Sequence, residues 1–232
     1  VGVVIAGQMP LLPFMLSSAI AFISVFLMIG IPPTLRDESS KPLSFLTTLK
    51  TLRNDRSLVL FTGGSLLSTI VHGRYTLYLS QFLLVIHNPD DALKILSAIL
   101  ACNAITVMLL QYQIGRFLKR EQLRYWILLG TALFIGGLIG FSQADSLLSW
   151  CVAMFVFTLG EMIIFPSEFL FIDTLAPESL RGSYYGAQNL AAFGGALSPV
   201  ICGYLLINSP PTTMFYALAG LTAVGGTLCF LS

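Results

Sequence analysis

Charge is the scarcest property of this sequence. Only 10% of its 232 residues are Asp, Glu, Lys or Arg, whereas a soluble domain carries about 25% and needs them to cover a water-facing surface. With 56% hydrophobic residues beside so little charge, the chain reads as an integral membrane protein. An excess of one sign is also missing: 12 basic against 11 acidic residues give no global argument for nucleic-acid binding. A signal peptide with a basic n-region is absent. So are a His-Glu-x-x-His pair, a Gly-x-Ser-x-Gly and a phosphate-binding glycine loop followed by Lys, and the chain is not read as an enzyme. The four cysteines, Cys102, Cys151, Cys202 and Cys229, sit in apolar blocks without metal-ligand spacing; they read as packing residues, and no metal or cofactor is expected. Alternating segments of about ten residues, the mark of a transmembrane barrel, are lacking as well.

What is present is a series of long apolar blocks. A spanning helix needs about 20 mostly apolar residues, and candidates fall at 10–31, 58–86, 92–117, 125–143, 147–172, 184–207 and 212–231. They are separated by breaks such as Pro32-Pro33, His87-Asn88-Pro89 and Asn208-Ser209-Pro210-Pro211. Residues 1–8 form an apolar stub that starts at Val1 and is too short to cross, so the chain is expected to be a fragment without its natural start. Seventeen Phe and 20 Gly suit lipid-facing bulk and close helix contacts, the latter at Gly136, Gly140, Gly182, Gly186, Gly194 and Gly195. The fold class expected is an all-α membrane protein with about seven transmembrane helices.

Basic residues orient the spans, because cytoplasmic loops hold an excess of Lys and Arg. Arg36, Lys41, Lys50, Arg53 and Arg56 follow the first span, Arg116, Lys119, Arg120 and Arg124 the third, and Arg181 the fifth, while the alternate loops hold only Lys94. Those three loops are therefore placed in the cytoplasm. The polar stretch 32–57 reads as a linker between residues 1–31 and a bundle formed by 58–232. Leu43, Leu46, Leu49 and Leu52 within it suggest a short amphipathic helix, with a disordered tether as the alternative.

Ionisable groups at membrane depth are costly and face a bundle interior or a wet cavity. His72 and Arg74 lie near the middle of the second span and Glu161 near the middle of the fifth; Glu168 follows seven residues later on the same face, about 10 Å along the axis. Low dielectric disfavours a charged carboxylate, which suits Glu161 to taking up and releasing a proton or exchanging it for a cation. The alternative is a permanent Glu161–Arg74 ion pair locking two helices. His72 is either part of a proton relay with Glu161 and Glu168 or a hydrogen-bonded core residue. Asn103, Gln188 and Asn189 are further polar candidates for substrate contact, as are the aromatic Tyr75, Tyr78 and Phe165, and Pro166 between the two glutamates is expected to open a pocket or hinge.

The run Gly160-Glu161, Pro166-Ser167, then Leu175-Ala176-Pro177-Glu178-Ser179-Leu180-Arg181-Gly182-Ser183-Tyr184-Tyr185-Gly186 resembles the tenth and eleventh helices of a major facilitator superfamily transporter of the drug:proton antiporter branch. Gly194-Gly195 with Pro199 and Gly203 is similar to that family's eleventh helix. The resemblance implies that the stub ends helix five, that the first span is helix six, and that the remaining six form the C-terminal half of two six-helix bundles enclosing a cavity. It also implies a proton-coupling role for Glu161, and a cytoplasmic latch at Arg116, Lys119 and Arg120, with Gly115 where the latch motif has its acidic residue.

The reading that results is secondary active efflux of small amphipathic or cationic compounds against protons, in the inner membrane of a bacterium. Its partners are the substrate, protons, the lipid bilayer and the missing N-terminal half. Transport of a specific metabolite such as a sugar or siderophore is the alternative on the same fold. A seven-helix receptor is the alternative of another class, weakened by a final span without a lysine for a retinal Schiff base.

Overall fold

The computed structural model describes residues 11–29 and 45–232; the stub 1–8, Leu43 and the proline and basic residues of 32–44 lie outside them. The chain divides into two compact units, Val1–Pro42 and Leu43–Ser232. In the first, helix α1 (Leu12–Ile29) has no charged residue, and every side chain described on it is exposed. Such a helix satisfies its own backbone hydrogen bonds internally.

The second unit is all helical among the described residues. It comprises α2 (Phe45–Asn54), α3 (Arg56–His72), α4 (Tyr75–Ile86), α5 (Pro89–Phe117), α6 (Leu123–Gln143), α7 (Leu147–Leu175), α8 (Arg181–Gln188), α9 (Ala192–Asn208) and α10 (Thr213–Leu231). Five helical segments are long and apolar enough to cross a membrane: Pro89–Phe117, Arg120–Gln143, Leu147–Leu175, Glu178–Asn208 and Thr213–Leu231. Shorter apolar helices run over Ser17–Met28 and Tyr75–Ile86.

Helix starts follow local chemistry. Asn88 caps α5, its side chain accepting from the Asp91 amide at 2.9 Å, with Pro89 in the first turn and Asp90 and Asp91 beside the positive end of the dipole. Ser146 and Ser149 form a reciprocal capping box at the start of α7. Asp55 caps α3 through the Leu58 amide at 3.1 Å, and its other oxygen accepts from the Tyr184 hydroxyl at 2.6 Å, tying the α2–α3 corner to α8.

Two expected spans are interrupted. Residues 58–86, read from hydropathy as one helix, break at Gly73-Arg74, where Arg74 leaves helical geometry (φ −144°, ψ 34°). A Cβ added to Gly73 would lie 3.1 Å from the Gly195 Cα, so the break is also where α9 comes in close. Residues 184–207 are divided by a 3-10 turn at Asn189–Ala191 between α8 and α9. Sliding apolar averages see neither break, because each lasts only two or three residues.

Helix α6 packs along α7 and α10; α3 lies against α10 and α9, and α5 against α7. Small residues permit this. Gly64 on α3 faces Gly225 on α10, and a Cβ on either would press within 3 Å of the other's carbonyl. Gly194 is tighter still, its α-carbon set against the Leu66 carbonyl and the Ile70 amide of α3. Gly140 meets Ala153 in the same way, whereas Gly182 and Gly186, expected at close contacts, have nothing within reach of an added Cβ. The core is strongly aromatic: Trp150, Phe134, Phe141, Phe157 and Phe215 are fully buried, with Phe141 stacked on Trp150 at 5.7 Å.

Candidate functional site

Both candidate carboxylates project from α7. Glu161 stands at the midpoint of α7 (Leu147–Leu175) and Asn103 at the midpoint of α5 (Pro89–Phe117), and packing of these helices brings them together. The Asn103 amide donates to the Glu161 carboxylate at 3.0 Å and to the Thr158 hydroxyl oxygen at 3.0 Å. Thr158 in turn donates to the Met154 carbonyl at 2.8 Å. Thr158 was not picked out from the sequence; its signal was its place three residues before Glu161 on the same helix face. Tyr75, half-buried with its ring 5.6 Å from that of Phe157, lies within electrostatic reach of the carboxylate.

Among the described residues no cation pairs with Glu161. The ion pairs among the described residues are Lys94–Asp91, Arg120–Asp173 and Arg181–Asp173, so the alternative Glu161–Arg74 lock is not formed. Arg74 sits at the α3–α4 break with its side chain exposed. Asn103 suits a group that changes protonation: its NH2 donates to a carboxylate, and after an amide flip its oxygen accepts from a carboxylic acid.

Glu168 faces different ground. It is half-buried, beside the Ser65 hydroxyl of α3, and it lines a cavity of about 220 Å³ with Thr69, His72, Phe165, Gln188 and Asn189. Among the described residues His72 has no hydrogen-bond partner. Its ring is stacked 5.6 Å from Phe134 and meets the Phe165 ring edge-on at 4.5 Å, and both nitrogens are buried without a partner. A proton relay needs such partners, so that role does not fit the geometry. Gln188 is anchored by the Thr62 hydroxyl at 3.3 Å. Tyr78 lies wholly in the core, and its hydroxyl has no hydrogen-bond partner among the described residues.

At the basic end of α7, Asp173 collects two arginines: Arg120 at 3.0 Å and Arg181 at 3.3 Å. Arg120 of the expected latch is therefore tied to its own bundle. Arg116 lies over the Tyr112 ring at 5.7 Å, and Lys119 is exposed. The acid that pairs with Arg120 lies 53 positions away, outside the local motif in which an acidic residue was sought.

Comparison with known proteins agrees with this architecture. The Major Facilitator Superfamily profile matches residues 2–199. The uncharacterized MFS-type transporter YdeE of Escherichia coli (strain K12) is 38% identical over 171 residues, covering 73% of this chain and 43% of that protein. YqjV of Bacillus subtilis (strain 168), also an uncharacterized MFS-type transporter, is 25% identical over 191 residues, 80% of this chain and 46% of its own. A Na(+), Li(+), K(+)/H(+) antiporter of Planococcus maritimus is 29% identical over 136 residues, 58% of this chain and 30% of its own. The chain spans less than half the length of each of these relatives. It is a multi-pass, all-α membrane protein and belongs to the major facilitator superfamily.

Proposed function

We propose that the chain forms the cation- and proton-handling half of a secondary active transporter, which exchanges protons for small amphipathic or cationic compounds by alternating access across a bacterial inner membrane. The observation that carries this reading is the Glu161 carboxylate: mid-span, held by the Asn103 amide, and without a cationic partner among the described residues. A carboxylate so placed is costly in its charged form unless a proton or a cationic ligand compensates it, and competition between the two is the elementary step of antiport. In this reading residues 1–31 belong to the N-terminal bundle, 32–57 link the halves, and 58–232 form the C-terminal bundle. The coverage of somewhat less than half of each relative supports a partner half in the same polypeptide.

A second reading is alkali-cation/proton exchange at the same carboxylate. It is favoured by the Glu161 carboxylate and Thr158 hydroxyl oxygens converging on the Asn103 side-chain amide and by the antiporter of Planococcus maritimus among the relatives. The full-length protein in proteoliposomes separates these readings. Proton movement would be followed on addition of lipophilic organic cations, of Na⁺ or K⁺, and of neutral sugars. Organic cations driving protons supports the first reading and alkali cations alone the second; protons moved only by sugars, or by nothing, would overturn both.

A further inference from the structure

Two helix breaks and a proline inside a third helix converge on one place. Gly73 ends α3 there, the 3-10 turn Asn189–Ala191 separates α8 from α9 there, and Phe165 and Glu168 flank Pro166 of α7; Gly73, Phe165, Glu168, Asn189 and Ala191 all line the 220 Å³ cavity. Non-helical backbone at membrane depth persists where it borders a cavity or is buried in protein. The cavity walls are chemically lopsided. Among the described residues Glu168 is the only charged one lining the cavity, and it makes no ion pair. His72, 95% buried, presents a wall whose ring nitrogens no protein group satisfies. Phe165 and Phe169 supply two aromatic faces.

We propose that this cavity binds the ammonium head of a small aryl- or alkyl-amine, with Glu168 as counter-charge and Phe165 and Phe169 as aromatic walls. The volume holds about seven waters, which is the size of a small amine rather than of a bare ion. Ca²⁺ and Mg²⁺ take six or more oxygen ligands, and the side chains lining the cavity offer five, two from Glu168 and one each from Thr69, Gln188 and Asn189. A carboxylate beside aromatic rings instead matches an organic ammonium, through charge pairing and cation–π attraction. The inference deepens the transport reading and rests on it only for the ligand's role as cargo.

The test is calorimetric titration of the full-length protein in nanodiscs with 2-phenylethylammonium chloride, and with 2-phenylethanol as the neutral comparator. The amine is expected to bind at least about tenfold tighter than the alcohol, and Glu168→Gln to abolish that preference. Ala192→Leu, which fills the cavity from its rim, is expected to weaken the amine about tenfold or more while thermal unfolding stays unchanged; it decides the matter alone if Glu168→Gln does not fold. Equal binding of amine and alcohol, or parental amine binding by both variants, would overturn the proposal. Amine binding without amine-driven proton flux would sink the transport reading and leave the site standing; flux with binding indifferent to both variants would do the reverse.

Discussion

Replacing Asn103 by Ala removes two hydrogen bonds of different kinds, and the difference between them reports the state of Glu161. Hydrogen bonds between neutral side chains in membrane helices couple by about 0.6 kcal/mol on average, with a ceiling near 1.7. Hydrogen bonds to an ionised group contribute about 1.5–3 kcal/mol. The Asn103–Thr158 and Asn103–Glu161 contacts are equally short, so geometry does not separate them and charge does. Two double-mutant cycles in the full-length protein, Asn103→Ala with Thr158→Val and Asn103→Ala with Glu161→Leu, would be read by reversible unfolding in mixed detergent micelles at neutral pH. The first coupling is expected at about 0.6 kcal/mol and the second at about 1.5–3 kcal/mol. Couplings of equal, small size would mean that Glu161 is held as a neutral acid. No coupling in the second cycle would refute the Asn103–Glu161 clamp itself.

Other expectations rest on separate parts of the fold. Gly194→Ala drives a Cβ into the α3 backbone at Leu66 and Ile70, where neither neighbour can turn aside, and should cost about 3 kcal/mol or more in the same unfolding assay; Gly186→Ala meets nothing and should be neutral or stabilising by up to about 1 kcal/mol. Equal effects would contradict the packing of α9 on α3. Asp55→Ala loses both the α3 cap and the Tyr184 bond and should destabilise by about 3 kcal/mol, against about 2 for Tyr184→Phe; a larger effect for the tyrosine would reverse that assignment. Asp173→Asn releases two half-exposed arginines, so its cost should be about 1 kcal/mol at low salt and shrink at 0.5 M NaCl; a cost indifferent to salt would show that packing, not charge, holds this corner.

The spans were legible where composition and punctuation agree. Asn88-Pro89 and Ser146 mark where α5 and α7 begin, and the apolar runs behind them are long enough to leave no rival reading. The breaks inside residues 58–86 and 184–207 were not, because Gly73-Arg74 and Asn189–Ala191 alter backbone geometry without altering mean hydropathy. The same division holds at the site. Asn103 and Glu161 each stand out as polar residues at mid-span, yet their contact depends on how α5 is rotated against α7, which no single-helix pattern encodes. Charge complementarity alone suggested Arg74 as the partner of Glu161. The chain instead leaves helical geometry at Arg74 and gives Glu161 a neutral donor. Likewise the Arg120–Asp173–Arg181 cluster joins three segments distant in sequence, and becomes visible only once the helices are assembled.

The central claim is that Glu161 exchanges a proton with cargo, and its most direct test is cation-driven proton flux through the full-length protein in proteoliposomes, parent against Glu161→Gln. The account predicts that the variant folds, inserts and binds lipid as the parent does, but moves no protons above the leak of protein-free vesicles when cation is added. Parental flux from the glutamine variant would contradict it and leave Glu161 a structural residue.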